Sequence, residues 1–109
     1  MPTQYKVLGQ SAPAATTLTT LYTVPSSTDT VVSTLAICNQ AATSATYRIA
    51  VRPAGATVAA QHYIVYGATV AANDTTLLTL GITLDTTDVI SVYASTANLS
   101  FSAFGSEIS

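Results

Sequence analysis

Charged side chains are scarce in this sequence. Among 109 residues there are three of Lys or Arg and five of Asp or Glu, a charged fraction of 7% against about 25% in ordinary soluble domains. A free monomer usually carries more charge, because charge maintains solubility and protects exposed strand edges. A surface of threonine, serine and alanine instead suits a contact between two proteins, since few ions must lose their water there. The sequence therefore predicts a homo-oligomer or a subunit of a larger assembly; the alternative is a monomer that its hydroxyl groups keep soluble.

The sequence disfavours two classes of partner, nucleic acids and membranes. With a net charge of −2 and three cations, the chain cannot neutralise many phosphates, so we expect no nucleic-acid partner. No apolar run reaches the roughly 18 residues of a membrane-spanning segment without hydroxyls or turn residues, so we expect no membrane partner.

The first six residues lack the basic region and apolar core of a signal peptide. The single cysteine, Cys38, excludes an internal disulfide and fits synthesis in a reducing cytoplasm.

The side chains that enzymes use are also few. His62 is the sole histidine, and the sequence contains no G-x-S-x-G, G-x-G-x-x-G or Walker motif. A lone histidine between Gln61 and Tyr63 is more often a surface or interface residue than a catalyst, because catalysis needs a nucleophile and an orienting group within reach. We therefore expect no enzymatic activity, no catalytic residue and no cofactor.

One pair of carboxylates lies close in sequence, at Asp85 and Asp88. A calcium ion needs about six to eight oxygen ligands, which Thr86, Thr87 and backbone carbonyls would have to complete. The favoured interpretation is that both carboxylates accept hydrogen bonds within a turn. Zinc sites need several Cys or His ligands, and one of each is present. We expect no metal site.

The aromatic residues are six tyrosines and two phenylalanines, without tryptophan. Aromatic rings stack on sugars, but tryptophan usually leads such sites, so packing in the core and at interfaces is the favoured use of the tyrosines. The alternative is a carbohydrate- or receptor-binding site formed by Tyr63, Tyr66 and Tyr93 with Asp85.

What the sequence has in abundance is β-forming residues. Its length suits one domain, and a hydrophobic fraction of 49% excludes disorder. Threonine, valine, isoleucine and tyrosine dominate, and these pack well on a pleated surface. Eight strands are predicted, separated by Gly, Pro, Asn and Asp: residues 5–8, 18–24, 30–39, 46–52, 61–66, 75–80, 89–95 and 98–104, the last extending as far as Ile108 in the longer alternative.

Strands spaced about every ten residues predict an all-β fold, a single antiparallel β-sandwich of about eight strands, arranged in a jelly-roll-like manner. The strand at 30–39 is apolar on both faces, so we expect it to lie centrally and to be covered on both sides. The segment 56–60 is predicted as a loop or a helical turn. Residues 1–17 are expected to form an N-terminal strand with a linker or arm, and residues 18–109 the sandwich domain.

The N-terminal segment has two alternative roles. It is apolar enough to dock on a neighbouring subunit as an arm, or it forms an edge strand of its own domain. Candidate interface residues are taken from this segment and from the predicted fifth strand: Tyr5, Val7, Leu8, Tyr63 and Tyr66.

Three segments carry a resemblance to a known family. They are Leu21-Tyr22-Thr23-Val24-Pro25, then Leu35-Ala36-Ile37-Cys38-Asn39, and the ending in which Asp88-Val89-Ile90-Ser91-Val92-Tyr93-Ala94-Ser95 is followed by Phe104-Gly105-Ser106-Glu107-Ile108. Over residues 18–108 the chain resembles small β-sandwich virion structural proteins of tailed bacteriophages, including cyanophages. The family pattern has Gly before the Asp of the third segment, where this sequence has Thr87.

The resemblance implies a particle component, made in the host cytoplasm and localised to the virion, with no enzymatic task. Its partners would be other copies of itself and virion proteins such as the major capsid or tail protein. The function expected is that of a capsid decoration (cement) protein. The alternatives are a tail, neck or baseplate component, or a fibre-tip module that binds a carbohydrate or receptor.

Overall fold

Eight β-strands are the long elements of residues 3–109, which are the residues described by the computed structural model. No α-helix occurs in that range. Two short 3₁₀ turns, Pro53–Gly55 and Ala60–His62, flank the segment predicted as a loop or helical turn. The strands are β1 (Thr3–Ser11), β2 (Thr19–Thr23), β3 (Asp29–Asn39), β4 (Ala45–Arg52), β5 (Tyr63–Val70), β6 (Thr75–Leu84), β7 (Val89–Ala94) and β8 (Leu99–Ile108).

The strands form two four-stranded antiparallel sheets that pack as a sandwich, which confirms the predicted fold class. Sheet A has the order β1-β8-β3-β6 and sheet B the order β2-β7-β4-β5. The antiparallel pairs β1–β8, β2–β7, β3–β6 and β4–β5 are nested along the chain. Such nesting arises when one long antiparallel ribbon rolls up on itself, and it gives the two Greek keys of a jelly roll.

The hydrophobic core lies between the two sheets. Alternation positions the side chains, as in β4, where Tyr47 and Ile49 are buried and Arg48 lies on the opposite face. The ring of Tyr47 meets that of Phe101 edge to face, with centroids 6.2 Å apart. Burial of each large apolar side chain contributes about 1.5–3 kcal/mol, and the largest fully buried ones are Phe101, Leu35, Ile37, Ile49, Ile90 and Leu99.

Two glycines that were predicted to end strands lie inside them instead. β5 continues through Gly67 to Val70, and β6 continues through Gly81 to Leu84. Both glycines have positive φ, 81° and 63°, and the strand registers shift where they occur. Each glycine therefore belongs to a β-bulge, where the left-handed conformation admits an extra residue without ending the pairing.

β3 is central, as predicted, between β8 and β6. The expectation that it would be covered on both faces is wrong. A register shift between Val32 and Thr34 turns Val32 to the same side as Leu35 and Ile37, and all three are fully buried. The opposite side, which includes Ala36, remains half-buried and faces outward. The bulge thus concentrates the larger side chains of this strand in the core.

β1 is the edge strand of sheet A and pairs with β8 from Thr3 to Ser11. It is longer than predicted, so the linker begins after Ser11. Gly9 lies against β2: a Cβ at this position would overlap the carbonyl oxygen of Leu21. Within one chain, the segment therefore takes the edge-strand role; the arm that reaches a neighbour stays a prediction.

Candidate interaction surfaces

The outer face of sheet A carries apolar and hydroxyl side chains. In one row across all four strands, Val7 lies opposite Phe104, Phe104 opposite Thr34, and Thr34 opposite Thr79. The strand register puts apolar side chains with serines and threonines between them on this surface, which we call the neutral face. Its apolar members include Tyr5, Val7, Val31, Ala36, Leu77, Phe104 and Ile108.

Several apolar side chains of the neutral face are in contact with solvent. Tyr5 is 86% exposed, Leu77 66% and Val7 48%. Asp29, the first residue of β3, is the one charged residue in the outward register among residues 3–109, and it lies at the end of the sheet. Lys6 lies in the inward register of the edge strand β1, where its Nζ is 3.1 Å from Oε1 of Glu107, and its side chain remains 43% exposed at the edge of the sheet. The centre of this face therefore presents no charge.

The outer face of sheet B is cationic. The guanidinium of Arg48 lies between two aromatic rings, 4.2 Å from the centroid of Tyr66 and 4.3 Å from that of Tyr93. Cross-strand pairing produces this stack, because Arg48 on β4 is opposite Tyr93 on β7 and Tyr66 on β5. No carboxylate of residues 3–109 lies within ion-pair distance of Arg48. The rings therefore stabilise its charge through their π faces.

A shallow hollow of about 450 Å³ adjoins this stack, lined by Ala60, Tyr63 and Tyr66. The two tyrosine rings meet edge to face, with centroids 5.0 Å apart. Asp85, expected to join them in a sugar site, instead lines a separate hollow with Asp29 and Asp88. The structure brings the tyrosines together without the carboxylate.

The second arginine of this face, Arg52, is held by its own loop. Its guanidinium donates hydrogen bonds to the carbonyls of Gly55 and Ala56 and to the hydroxyl of Ser91. Arg52 therefore fixes the turn after β4, and its donors are largely used within the chain.

Asp85 and Asp88 accept hydrogen bonds within turns, as the favoured interpretation predicted. In the turn before β7, Oδ2 of Asp88 accepts from the backbone N–H of Asp85, and Oδ1 of Asp85 accepts from that of Thr86. Oδ1 of Asp88 accepts from the N–H of Ala54 in the turn after β4. A hydrogen bond to Asp85 raises the pKa of the neighbouring Asp29 carboxyl, with desolvation and like charge acting in the same direction. Over the described range, no three His, Cys, Asp or Glu side chains form a group that could hold a metal ion.

A polar network that the sequence did not predict joins the two sheets. The hydroxyl of Tyr22 on β2 donates to Oε2 of Glu107 on β8 and lies 2.9 Å from the hydroxyl of Thr30. Burial and Glu107 raise the pKa of Tyr22 to about 12. The Tyr22 and Lys6 hydrogen bonds hold the pKa of Glu107 below its usual value. Since 85 residues separate Tyr22 from Glu107, no local pattern could reveal the pair.

The remaining candidates take separate positions. His62 accepts a hydrogen bond at Nδ1 from the backbone of Ala59, which closes a short turn. Cys38 is a free, half-buried thiol in the outward register of β3.

The five predicted interface residues divide into three groups. Tyr5 and Val7 lie on the neutral face, and Tyr63 and Tyr66 lie on the outer face of sheet B. Leu8 is buried in the hydrophobic core, with 9% exposure, because the register of β1 shifts between Val7 and Gly9. Its side chain is therefore part of the core and is not available at the surface.

No family model, curated protein or solved structure matches the chain significantly. Among residues 3–109, no helix is long and apolar enough to cross a membrane.

Proposed function

We propose that the protein is a non-enzymatic structural component of a tailed-bacteriophage virion, a capsid decoration protein that works through protein–protein contacts. It is made in the host cytoplasm and joins the particle there. The observation that carries this proposal is the neutral face, whose apolar and hydroxyl side chains extend across four strands with no charge at its centre. Exposed apolar surface of this kind typically marks a site of protein–protein contact.

The architecture supports the proposal by analogy. Jelly rolls with two Greek keys are common in viral capsid domains, although the fold also serves lectins and enzymes. The fold therefore agrees with the resemblance to virion proteins but does not by itself select the function.

The residues that carry the resemblance have structural roles in this fold. Tyr22 of the first segment bonds Glu107 of the last, so the two segments meet in one network. Nδ2 of Asn39 donates to the carbonyls of Thr43, Val70 and Ala71, and its Oδ1 accepts from the backbone of the next turn. Motifs that stabilise a scaffold are what a structural protein would retain, since its function depends on shape and not on reactive groups.

A reconstruction of native particles by electron microscopy, combined with mass spectrometry of their proteins, tests the proposal. We expect the chain in many copies on the outer capsid surface, in density that accommodates a sandwich of 45 × 27 × 19 Å. Density confined to the tail, neck or baseplate would replace decoration by the alternative structural role. Absence of the chain from purified particles would contradict the proposal altogether.

A second candidate, a fibre-tip module that binds a carbohydrate or receptor, is favoured by the hollow beside Tyr63 and Tyr66. Tyr66 is 66% exposed and lines this hollow, so part of its ring is accessible for stacking. A glycan array distinguishes this candidate: binding that Tyr66→Ala abolishes and Tyr5→Ala preserves would support it. An array without any signal would rule it out.

A further inference from the structure

We infer that the neutral face is the contact between two copies of this chain, which pair sheet A against sheet A about a two-fold axis. This pairing rests on the proposed function, since it names the surface through which an assembling structural protein meets itself. The partner is a second copy because the chemistry of this face is self-complementary.

Hydroxyl groups provide the self-complementarity. A serine or threonine hydroxyl both donates and accepts a hydrogen bond, so a surface of such groups can bond to an identical surface. In a two-fold contact the same patch meets itself, and any charge near the axis faces its own like charge. The neutral face avoids this repulsion because its middle rows, which contain Thr34, Ala36 and Phe104, hold no ionisable side chain.

The outer face of sheet B cannot pair in this way. Arg48 lies in the central row of that face, opposite Tyr93 and Tyr66. A two-fold contact there would bring two guanidinium groups together as their water is removed, which is costly. The carboxylate Asp29 sits at the end of sheet A, so a two-fold axis through the centre of the neutral face leaves it at the rim.

The area of the neutral face is sufficient for a stable contact. Four strands of nine to eleven residues give a face of roughly 19 by 33 Å, or about 600 Å². Two such faces bury about 1,200 Å², the lower end of the range for specific protein–protein interfaces. Leu77 and Tyr5, which are 66% and 86% exposed, would lose that exposure in the pair. Hydrophobic burial then drives association without a single ion pair.

Analytical ultracentrifugation of the purified chain measures its oligomeric state and tests the inference. Two lysine variants are compared, at positions that are equally exposed in the single chain. Leu77→Lys places a cation on the neutral face, and Tyr66→Lys places one on the outer face of sheet B; both positions are 66% exposed. We expect wild type and Tyr66→Lys to be dimers at about 100 µM, because an interface at the lower end of the specific range should bind with a Kd in the micromolar range. Leu77→Lys is expected to be a monomer. Thr79→Lys, in the central row, repeats the test, and circular dichroism checks that each variant is folded.

The native thiol of Cys38 gives an independent readout. Because it lies in the outward register of sheet A, pairing would slow its alkylation as the concentration of wild type rises, and Leu77→Lys would remove that dependence. A wild-type monomer at 100 µM overturns the inference. Dimers that persist in both lysine variants overturn it too and indicate contact through another surface.

The failure of this inference is distinguishable from that of the proposed function. If the wild-type chain is a monomer yet enters particles, the inferred pairing with a second copy is wrong and the proposed structural role stands. If the chain dimerises through the neutral face but is absent from particles, the pairing stands and the proposed function is wrong.

Discussion

The hydroxyl of Tyr22 and the carboxylate of Glu107 are hydrogen-bonded across the interior, which links β2 of sheet B to β8 of sheet A. Lys6 completes the charge balance of Glu107 from β1. Glu107 is one of five acidic residues in the chain, and its carboxylate lies inside the sandwich. There its oxygens accept hydrogen bonds from side chains on two other strands. This contact leads to the first two predictions.

Removing the Tyr22 hydroxyl should destabilise the fold. In Tyr22→Phe, Oε2 of Glu107 loses its donor in a buried site, which should cost about 1–3 kcal/mol of unfolding free energy. Urea denaturation measures the change. Tyr66→Phe is the control, because that ring is exposed and its substitution should change stability by less than about 0.5 kcal/mol. Equal stability of the two variants would show that the Tyr22–Glu107 contact contributes nothing.

Glu107 should make stability depend on acidity. Its pKa is lower in the folded chain than in the unfolded chain, so its contribution is complete above the unfolded value of about 4.3 and is lost as pH falls through the folded value. We expect Glu107→Gln to be less stable than wild type at pH 7 and the difference to shrink towards pH 3. Urea denaturation at both pH values provides the comparison, and a difference independent of pH would contradict the assignment.

The Asp29 carboxyl should act in the opposite direction. Its pKa is raised in the fold by Asp85, so it weakens stability above the raised value and no longer does so once it is protonated. We expect Asp29→Asn to raise the thermal midpoint at pH 7, with the gain lost at acid pH below the unfolded pKa. A gain that persists unchanged in acid would count against the pair.

Glycine is required at position 105 because the backbone of β3 lies very close to it, and not because its own φ angle favours glycine. A Cβ at this position would overlap the carbonyl oxygen of Val31 and lie 3.0 Å from Cα of Val32, and neither backbone group can rotate away. Gly105→Ala should therefore destabilise the chain by about 1–3 kcal/mol or more, measured by thermal or urea unfolding. The adjacent Ser106→Ala provides the control and should change stability by less than about 0.5 kcal/mol; a tolerated alanine at 105 would refute the close packing of β8 against β3.

The stack of Arg48 on Tyr93 should show measurable coupling. A double-mutant cycle with Arg48→Met and Tyr93→Leu isolates the pair from the loss of each side chain alone. We expect a coupling of about 0.5–1 kcal/mol, since the guanidinium lies over the ring but remains partly exposed. If the losses of unfolding free energy in the two single variants add up to that of the double variant, the contact between Arg48 and Tyr93 does not stabilise the fold.

Much of the fold could be predicted from local pattern. The strand predicted over residues 46–52 begins within one residue of the observed start of β4, because Tyr47 and Ile49 alternate with Thr46 and Arg48. The turn before β6 also followed from its residues: Asn73 has a left-handed φ of 53°, and Asp74 accepts a hydrogen bond from the N–H of Thr75. These features depend on neighbouring residues alone, so the order of residue types is enough to predict them.

Bulges were the features that local pattern could not resolve. The sequence predicts that the fifth strand ends before Gly67, yet the strand continues beyond this glycine and still pairs with β4. The bulge between Val32 and Thr34 likewise brought Val32 to the core side with Leu35 and Ile37, against the prediction that both faces of β3 would be covered. Whether a glycine ends a strand or bulges it depends on the register of the partner strand, which the sequence does not contain.

The sequence by itself determined the class of fold, the approximate strands and the scarcity of charge, because composition and period-two alternation are properties of the linear chain. The tertiary structure decided the positions of the eight charged side chains. Lys6 and Glu107, which are 101 residues apart in the sequence, form an ion pair. Arg48 lies between two tyrosine rings on sheet B, and the centre of the outer face of sheet A carries no charge. Strand order sets these neighbours, and strand order is fixed by long-range pairing that no short segment of sequence encodes.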